Sequence, residues 1–551
     1  RIIPSNYSVE GDSQAQEMTV RYRTKLSSTE KRLSVDTLLS KNGDQSSFSA
    51  TLRNIVGSTG RFRIPDDEQA DHITDDLNKS AFTVHKVTEK QKKVRPSAPF
   101  ITSTLQQEAW RKLRFTARRT MVLAQQLYEG IDVAGENSVG LITYMRTDST
   151  NLAGTALGEA AAYIREQFGI EYLPKSPRVY KRKVKGAQEA HEAIRPTSMD
   201  RDPNSIRSFL NRDQFRLYEI IWKRTIASQM TDALVDSTTV DIYALSRASG
   251  TVYELRTVGS VLKFDGFRKL YVEGSDDTDE NKPDPLPHLS ILSEEDSLKC
   301  LSVTPEQRFT KPPARYNEAT LIKTLEEQGV GRPSTYAPTI ATVIDREYVL
   351  KDAGRFVPTK LGTVVNGLLS EHFPDIIDIG FTARLEEELD DVASGDREWI
   401  PVLRDFYNPF SKTVERAMEK AERVPRDQID EESDEACEVC ERPMVIKSGR
   451  YGKFLSCSGF PQCRHSKPYL ARIGVGCPDC EGDLVERNTP SNRRKKFYGC
   501  SNYPNCNYAS NQRPLHQPCP QCSRILVASG RGNARCTYCE YKGPIPQELT
   551  A

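Results

Sequence analysis

The sequence predicts a multidomain α+β protein that ends in three zinc ribbons. Alternating polar and apolar residues, typical of half-exposed antiparallel strands, recur in two separate blocks, residues 1–96 and 232–308. Apolar residues at helical spacing dominate residues 97–231 and 309–425. Twelve of the 13 cysteines lie in the last 115 residues as closely spaced pairs, which is the spacing of metal ligands. At 551 residues the chain is long enough for several compact units.

The two β blocks lie on either side of the first helical region. Alternation is clearest at residues 18–23 and 48–52 in the first block and at 238–244 and 252–258 in the second. A helix is predicted at 68–80 within the first block. Two arrangements are open, because the blocks could fold as two separate β domains or combine their strands in one discontinuous domain.

The region at 97–231 begins after Pro96, and Thr104 is predicted to cap its first helix. An apolar stripe that includes Met121 and Leu127 predicts a second helix. A Gly-containing loop at residues 130–140 then leads to the stretch with the clearest chemical potential.

That stretch is LITYMRTDST at residues 141–150, where four strand-favouring residues are followed by polar ones. A tyrosine phenol, with an ordinary pKa of about 10, becomes a nucleophile when its phenolate is stabilised. Arg146 lies two residues beyond Tyr144, so in an extended chain its guanidinium could lower that pKa and bind a phosphate. On this decapeptide alone, an ordinary strand end with a surface Tyr-Arg pair is the more common explanation.

Residues 309–425 predict a winged-helix-like domain. One helix is predicted to end at Gly329, a second follows, and two short strands flank a turn at Gly354. Helix, turn, helix and two-stranded wing make a DNA-binding shape. Arg332 precedes the second helix and Arg346 lies at its far end, which suits phosphate contacts, although exposed helical arginines are as often simply solvated.

An acidic linker at residues 426–436 precedes three cysteine quartets, at 437–470, 475–510 and 515–545. Four thiolates at these spacings suit one structural, tetrahedral Zn²⁺ per quartet, and iron–sulfur clusters are the less favoured alternative. The quartets are Cys437, Cys440, Cys457 and Cys463; Cys477, Cys480, Cys500 and Cys506; and Cys519, Cys522, Cys536 and Cys539.

The tail carries only a modest positive charge. Residues 437–551 contain 17 Lys and Arg against 8 Asp and Glu, an excess of +9, which three Zn(Cys)₄ centres of about −2 each would reduce to about +3. Residues 493–496, RRKK, are the best candidates for phosphate contacts. Stacking on unpaired bases, at roughly 1–3 kcal/mol each, is the alternative to core packing for the tail aromatics. These are Phe454, Phe460, Phe497, Tyr498, Tyr503 and Tyr538.

Four motifs resemble the signatures of bacterial type IA DNA topoisomerases. They are ITYMRTDST at 142–150, QEAHEAIRPT at 188–197, KPPARYNEATL at 311–321 and GVGRPSTYA at 329–337. The resemblance covers about residues 80–425 in family order, and cysteine-rich modules follow as in many members. It implies a toroidal core in which the two β blocks form one discontinuous arch that acts as a hinge. It also implies that the helical region between the blocks bears the catalytic tyrosine.

The resemblance implies a mechanism as well. Tyr144 would attack one strand of underwound DNA and become joined to its 5′ phosphate. The other strand would pass through the gap, and the free 3′ hydroxyl would reverse the bond without ATP. Arg146 would stabilise the phosphate and His191 would help to position it. DNA contacts are expected at Arg195, Arg315, Arg332, Ser334, Thr335 and Arg346. The sequence has no GxxxxGK[ST] phosphate loop, which agrees with a reaction that needs no ATP.

Type IA enzymes open with a Toprim domain whose acid cluster binds Mg²⁺, and no such segment is recognised here. The chain begins at Arg1 rather than Met. We therefore expect an N-terminal truncation that removes the Mg²⁺ site. The chain as given is expected to bind single-stranded DNA and to relax supercoils poorly.

The expected partner is single-stranded or negatively supercoiled DNA, and the expected location is the cytoplasm, on the nucleoid. A monomer is expected, RNA polymerase is a candidate partner of the tail, and no apolar run approaches the roughly 20 residues that cross a bilayer. Two rival functions are open. One is a non-catalytic single-stranded-DNA-binding zinc-ribbon protein, and the other is a tyrosine recombinase, which attaches to the 3′ phosphate.

Overall fold

The computed structural model describes residues 31–41, 47–58, 62–133, 136–180, 191–275, 289, 292–309, 312–422, 430–449, 452–488, 496–529 and 533–545. The chain divides into two compact units, residues 1–421 and 422–551. Parts of the sequence predictions lie outside the described residues. They include residues 1–30 of the first β block, residues 188–190 and 311 of two motifs, residues 426–429 of the acidic linker and residues 493–495 of the basic cluster.

The first unit combines strands and helices in chain order. Its strands are β1 (Lys31–Ser40), β2 (Ser47–Ile55), β3 (Ser80–Val94), β4 (Ile131–Val133), β5 (Glu136–Val139), β6 (Ala233–Ser246), β7 (Val252–Phe264), β8 (Ser297–Phe309), β9 (Val349–Asp352) and β10 (Arg355–Pro358). Its α-helices are α1 (Asp67–Asn78), α2 (Thr102–Glu108), α3 (Ala117–Glu129), α4 (Gly154–Gln167), α5 (Arg212–Ser228), α6 (Glu318–Glu327), α7 (Tyr336–Asp345), α8 (Lys360–His372), α9 (Pro374–Ile377), α10 (Ile379–Ser394) and α11 (Trp399–Lys420).

Strands from both β blocks close into one barrel, in the order β1-β2-β7-β6-β3-β8. Neighbouring strands are antiparallel, and β3 pairs with β6 along its whole length. Alternate residues of each strand point inward, so Leu39, Phe82 and Leu255 are buried in the interior. The helix α1 occupies the position predicted at 68–80 and packs Leu77 against the same core.

A buried carboxylate attaches α1 to the barrel. The hydroxyls of Ser249 and Tyr253 donate to Asp76 at 2.6 and 2.8 Å. Burial by itself raises the pKa of a carboxyl group, but these donated hydrogen bonds hold the pKa of Asp76 below its usual value. The helix is thereby fixed to the turn that joins β6 and β7.

The tyrosine-bearing domain consists of α2 to α5 and the hairpin of β4 and β5 around one apolar cluster. The helix α2 begins at Thr102, two residues before the predicted cap, and a π-helical turn extends it to Leu113. The Thr104 hydroxyl instead accepts a hydrogen bond from the Ile101 N–H at 3.0 Å. Thr116 caps α3.

The helices α6 and α7 and the hairpin of β9 and β10 form the helix, turn, helix and wing. The Asn317 side chain caps α6 by accepting the Thr320 N–H at 2.8 Å. Ile322, Ile340 and Phe356 are buried in a shared core. The helices α8 to α11 follow. Among the described residues, no helix combines the length and apolar character that membrane crossing requires.

The second unit contains three four-stranded antiparallel sheets, one per cysteine quartet. They comprise β11 (Glu431–Ala436), β12 (Pro443–Gly449), β13 (Gly452–Cys457) and β14 (Ser466–Pro468); β15 (Ala471–Gly476), β16 (Asp483–Asn488), β17 (Lys496–Cys500) and β18 (Ala509–Ser510); and β19 (Pro514–Pro518), β20 (Ile525–Ala528), β21 (Asn533–Cys536) and β22 (Lys542–Pro544). The apolar clusters of the first and third sheets include the cysteines themselves. Such small cores depend on metal for stability.

Within the first unit, the wing region meets the tyrosine-bearing domain at the start of α3. Glu318, the first residue of α6, is 1% exposed. Its carboxylate accepts the Ala117 N–H at 2.5 Å and forms an ion pair with Lys351 on β9. A carboxylate at a helix N-terminus also interacts favourably with the helix dipole. One buried acid therefore joins α3, α6 and the wing.

We predict that Glu318→Ala lowers the free energy of unfolding of the first unit by about 3 kcal/mol, because it leaves Lys351 and a buried N–H without their partner. The matched control is Glu327→Ala, on the same helix. The carboxylate of Glu327 is 60% exposed and lies 3.9 Å from Lys323, so its loss should cost less than about 1 kcal/mol. Urea unfolding of both variants measures the difference, and equal losses would contradict the role given to Glu318.

Candidate active site and zinc centres

The segment that precedes Tyr144 is held by residues 193–197. The N–H of Thr143 donates to the Arg195 carbonyl at 2.9 Å, and the Thr143 hydroxyl accepts the Arg195 N–H at 2.9 Å. Ile142 forms an isolated bridge with Pro196. The strand predicted for residues 141–144 is therefore wrong in extent, since ladder pairing stops at this bridge.

The segment that follows Tyr144 is held by the start of α2. The Thr102 hydroxyl donates to the Met145 carbonyl at 2.8 Å, and the Thr147 N–H donates to the same hydroxyl at 2.9 Å. Met145 and Thr147 are buried, whereas Tyr144 and Arg146 are exposed. The two polar side chains therefore leave the same face of a chain that is anchored at both ends.

Tyr144 projects beside a second tyrosine. Its side chain is 44% exposed, and its ring meets the ring of Tyr128, at the end of α3, edge-on at 5.4 Å between centroids. Arg146 forms no ion pair with the described residues and lines a cavity next to α3. An accessible phenol and an uncommitted guanidinium thus lie two residues apart on a rigid support.

The structure places Arg195 in an ion pair rather than at the surface. Its guanidinium donates to Glu192 at 2.7 Å and to the Pro196 carbonyl at 2.9 Å, and its side chain is 11% exposed. Glu192 also accepts the Ala153 N–H at the start of α4, at 2.6 Å. His191, at the beginning of this segment, is exposed. Arg195 is therefore committed to local structure, whereas His191 is accessible to a ligand.

A cavity of about 600 Å³ lies between α3 and α7 and brings together Arg146 and Ser334. Arg118, at the start of α3, is 4.0 Å from Asp345, at the end of α7, and also lines the cavity. The cavity is lined by Arg118, Met121, Val122, Gln125, Gln126, Arg146, Pro333, Ser334, Ala337, Pro338, Ala341 and Thr342.

Two other predicted DNA contacts before α7 are tied into local structure. Arg332 donates to Asp390 at 2.7 Å and lies 3.6 Å from Glu386. Burial lowers the pKa of a guanidinium, but the Asp390 carboxylate raises the pKa of Arg332 overall. The Thr335 hydroxyl accepts the Arg332 N–H at 2.8 Å and so shapes the loop before α7. Both residues support the position of Ser334.

The remaining two predicted contacts lie away from this loop. Arg346 is exposed at the far end of α7. The Arg315 carbonyl accepts a hydrogen bond from Arg355 of the wing at 2.7 Å, and one terminal nitrogen of the Arg315 guanidinium is buried without a partner among the described residues. The six predicted DNA contacts therefore do not form one cluster.

The sequence did not predict that three residues shape the site, namely Thr102, Glu192 and Tyr128. Thr102 and Glu192 act on residues more than 35 positions away, and no local pattern marks such contacts. Tyr128 lies near the end of α3, and no local pattern shows whether such an aromatic side chain packs in a core or faces solvent. Its 40% exposure is set by tertiary packing.

The three cysteine quartets have the geometry of tetrahedral metal sites. In each, the four sulfur atoms lie within 4.8 Å of one another. Cross pairs are 3.7 and 3.3 Å apart in the first and second quartets and 3.5 Å in the third. A Zn–S bond of about 2.3 Å implies sulfur separations of about 3.8 Å, so the quartets fit Zn²⁺ closely. Backbone N–H groups donate to Sγ of Cys457, Cys480, Cys500 and Cys536, which stabilises thiolates.

The tail aromatics divide into two sets. Phe460, Tyr503 and Tyr538 are 50%, 60% and 41% exposed, whereas the other three are half-buried in the sheets. A cation lies over each exposed ring, 5.8 Å from the centroid for Lys447, 5.3 Å for Arg487 and 4.6 Å for Arg524. These pairs are Lys447 with Phe460, Arg487 with Tyr503, and Arg524 with Tyr538. Each ribbon thus presents one aromatic surface next to a positive charge.

Two family models and a solved structure match the chain. The model of a family described as DNA topoisomerase matches residues 29–404. The model described as topoisomerase DNA binding C4 zinc finger matches residues 434–471 and 474–514. The solved structure of full-length topoisomerase I from Thermotoga maritima is similar, with a TM-score of 0.59 and 31% sequence identity over 83% of this chain and 68% of that chain.

We predict three zinc ions per chain. Cys457→Ser should reduce the content to two, because three thiolates bind Zn²⁺ less tightly than four. The matched control is Cys300→Ser, which changes a thiol outside the quartets and should leave three. Elemental analysis of the purified proteins measures the content. Iron in place of zinc, or an equal loss in both variants, would contradict the assignment.

Proposed function

The chain belongs to the type IA DNA topoisomerase family, and from that membership we propose that it relaxes negatively supercoiled DNA through a transient single-strand break at Tyr144. The observation that supports this most directly is the exposed phenol on a segment anchored at both ends, beside the uncommitted Arg146. A nucleophile must be accessible and fixed in direction, and this segment meets both requirements.

The proposed reaction conserves phosphodiester energy. The Tyr144 oxygen attacks a backbone phosphorus and forms a new O–P bond, while the bond from phosphorus to the 3′ oxygen breaks. The phenolic proton is lost and the departing 3′ oxygen gains one, so that a free 3′ hydroxyl results. After the other strand passes, that hydroxyl attacks the phosphotyrosine and restores both starting groups. One ester replaces another at each step, so no ATP is consumed.

In this proposal Arg146 stabilises the charge that develops on the phosphate, and His191 helps to position the strand. Arg146 can do so without first breaking an ion pair with a described residue. A preorganised donor of this kind is worth about 10²–10³-fold in rate. A lysine could not replace it fully, because an ammonium lacks the planar, two-pronged geometry that matches a phosphate.

Magnesium enters the proposal only through the family, where it belongs to the acid cluster of the Toprim domain. Among the described residues, the only groups of three or more metal-ligating side chains are the cysteine quartets. Near Tyr144, the Glu192 carboxylate is already bound to Arg195 and to α4. These residues do not fit Mg²⁺, and the reaction proposed for Tyr144 includes no step on the metal.

We propose that the tail binds single-stranded DNA through its exposed aromatics and neighbouring cations. The family assignment of the first two ribbons supports DNA as the partner, and stacking accepts any base because every base has an aromatic face. We also propose that the protein is a cytoplasmic monomer associated with the nucleoid and that its tail contacts RNA polymerase. These last parts are supported by family resemblance alone.

We predict that Tyr144→Phe abolishes the covalent DNA adduct while changing single-strand affinity less than about threefold, because one hydroxyl supplies the nucleophile but little contact area. The matched control is Tyr128→Phe, which removes the hydroxyl of the neighbouring ring and should still form the adduct. Denaturing gels with labelled oligonucleotides measure both. An adduct in the Tyr144→Phe variant would exclude Tyr144 as the nucleophile.

The rival function, a zinc-ribbon protein that binds single strands without cleaving them, predicts a different result in the same assay. The unmodified protein would then bind the oligonucleotide and form no adduct under any condition, with or without Mg²⁺. That outcome would overturn the proposed cleavage and leave the DNA-binding part intact.

We predict that Phe460→Leu and Tyr503→Leu each weaken binding of single-stranded DNA by about tenfold, because stacking on one aromatic ring is worth about 1–3 kcal/mol. Tyr407→Leu is the control, since this tyrosine of α11 is 62% exposed but lies outside the tail. Fluorescence anisotropy measures the affinities, with a zinc determination to show that the ribbons are intact. Unchanged affinity in both ribbon variants would contradict the stacking role.

A further inference from the structure

We infer that the cavity between α3 and α7 holds one unstacked base of a single DNA strand, with the flanking phosphates at Arg146 and Arg118. The inference rests on the proposed function for the presence of a DNA strand beside Tyr144. It adds a pocket that would bind and discriminate a base.

The size and walls of the cavity suit a flat aromatic ligand. Its volume of about 600 Å³ falls within the range of about 300–1,000 Å³ that small-ligand sites occupy. Ala337 and Ala341 lie one turn apart on α7, and their small side chains leave the gap that Met121 and Val122 of α3 face. The apolar side chain of Val122 is 45% exposed. A base stacked on it would remove this apolar surface from water, which is favourable.

The polar groups of the cavity suit the edge of a base. The Gln125 amide nitrogen donates to Glu129 at 2.5 Å, and the Gln126 carbonyl oxygen accepts from Gln214 at 3.0 Å. In these orientations the side-chain amide oxygen of Gln125 and the amide nitrogen of Gln126 have no hydrogen-bond partner among the described residues, so one can act as an acceptor and the other as a donor. Paired side-chain amide groups of this kind are used to hydrogen-bond base edges.

The charges favour an anionic ligand. The residues that line the cavity include two arginines and no acid. Arg118 lies 4.0 Å from Asp345, with both side chains more than 60% exposed, so that pair is weak and easily exchanged for a phosphate. At 1.5 Å per helical residue, Arg118 and Gln125 are about 10 Å apart along α3. This length accommodates a nucleotide with a phosphate on each side but is too short and narrow for a duplex.

The pocket opens to solvent on the side where a strand would enter. Val122, Ser334, Pro338 and Thr342 are all exposed, so a base can reach the cavity without unfolding either helix.

The test is photocrosslinking of the full chain to single-stranded oligonucleotides that carry one 5-iododeoxyuridine, moved one position at a time. Crosslinked peptides are identified by mass spectrometry, so the readout does not require cleavage. We expect crosslinks to the peptides of α3 and α7 from one or two adjacent positions only. Ala341→Leu, which fills the pocket, should reduce their yield about tenfold, whereas Thr339→Leu, on an exposed face of the same helix outside the cavity lining, should leave it unchanged.

Three outcomes separate this inference from the proposed function. Crosslinks confined to the zinc ribbons, or yields that Ala341→Leu leaves unchanged, would overturn the base pocket even if Tyr144 forms an adduct. Crosslinks in the pocket without any adduct at Tyr144 would support the pocket and overturn the proposed cleavage. If Ala341→Leu proves unstable, the positional pattern on the unmodified protein decides, because an even spread of crosslinks would exclude a single base site.

Discussion

The hydrogen bonds that hold residues 141–147 between Thr102 and residues 193–197 determine where Tyr144 points. They satisfy the backbone of a segment that forms only an isolated bridge, so the segment is rigid without being part of a sheet. Buried Met145 then forces its two neighbours, Tyr144 and Arg146, towards solvent on one face. Any chemistry at this tyrosine depends on that arrangement, since a phenol on a mobile loop would lose the advantage of a fixed direction of attack.

The helix α3 connects this segment to the wing region. Its first N–H is bonded to buried Glu318, its middle forms one wall of the cavity, and its end places Tyr128 against Tyr144. A shift of α7 or the wing would therefore move α3 and so change the position of Tyr144. The zinc ribbons contribute differently, because each is a small metal-dependent unit that presents one exposed aromatic ring beside a cation.

Sequence reasoning predicted the features that local patterns encode. Cysteine spacing predicted the three quartets, and apolar periodicity predicted α3, α6 and α7, because these features follow from residues close in the chain. It could not predict that Arg195 and Arg332 would be committed to Glu192 and to acids of α10. An arginine that faces solvent and one that forms an ion pair look alike in sequence. The tyrosine strand was overextended because pairing along a strand depends on a partner distant in sequence. The start of α2 at Thr102 was missed because a threonine suits the third position of a helix as well as the cap. The Thr104 hydroxyl accepts the N–H of the cap residue Ile101.

In the proposed reaction, Tyr144 is the residue that becomes joined to DNA, at a 5′ phosphate. The most direct measurement is to trap the adduct with single-stranded DNA, digest it and identify the linked peptide and the end of the DNA it carries. If Tyr144 is the nucleophile, the linked peptide contains Tyr144 with a 5′-phosphate linkage, and the released fragment carries a free 3′ hydroxyl. A linkage at another residue, or at a 3′ phosphate as a recombinase would form, would contradict it.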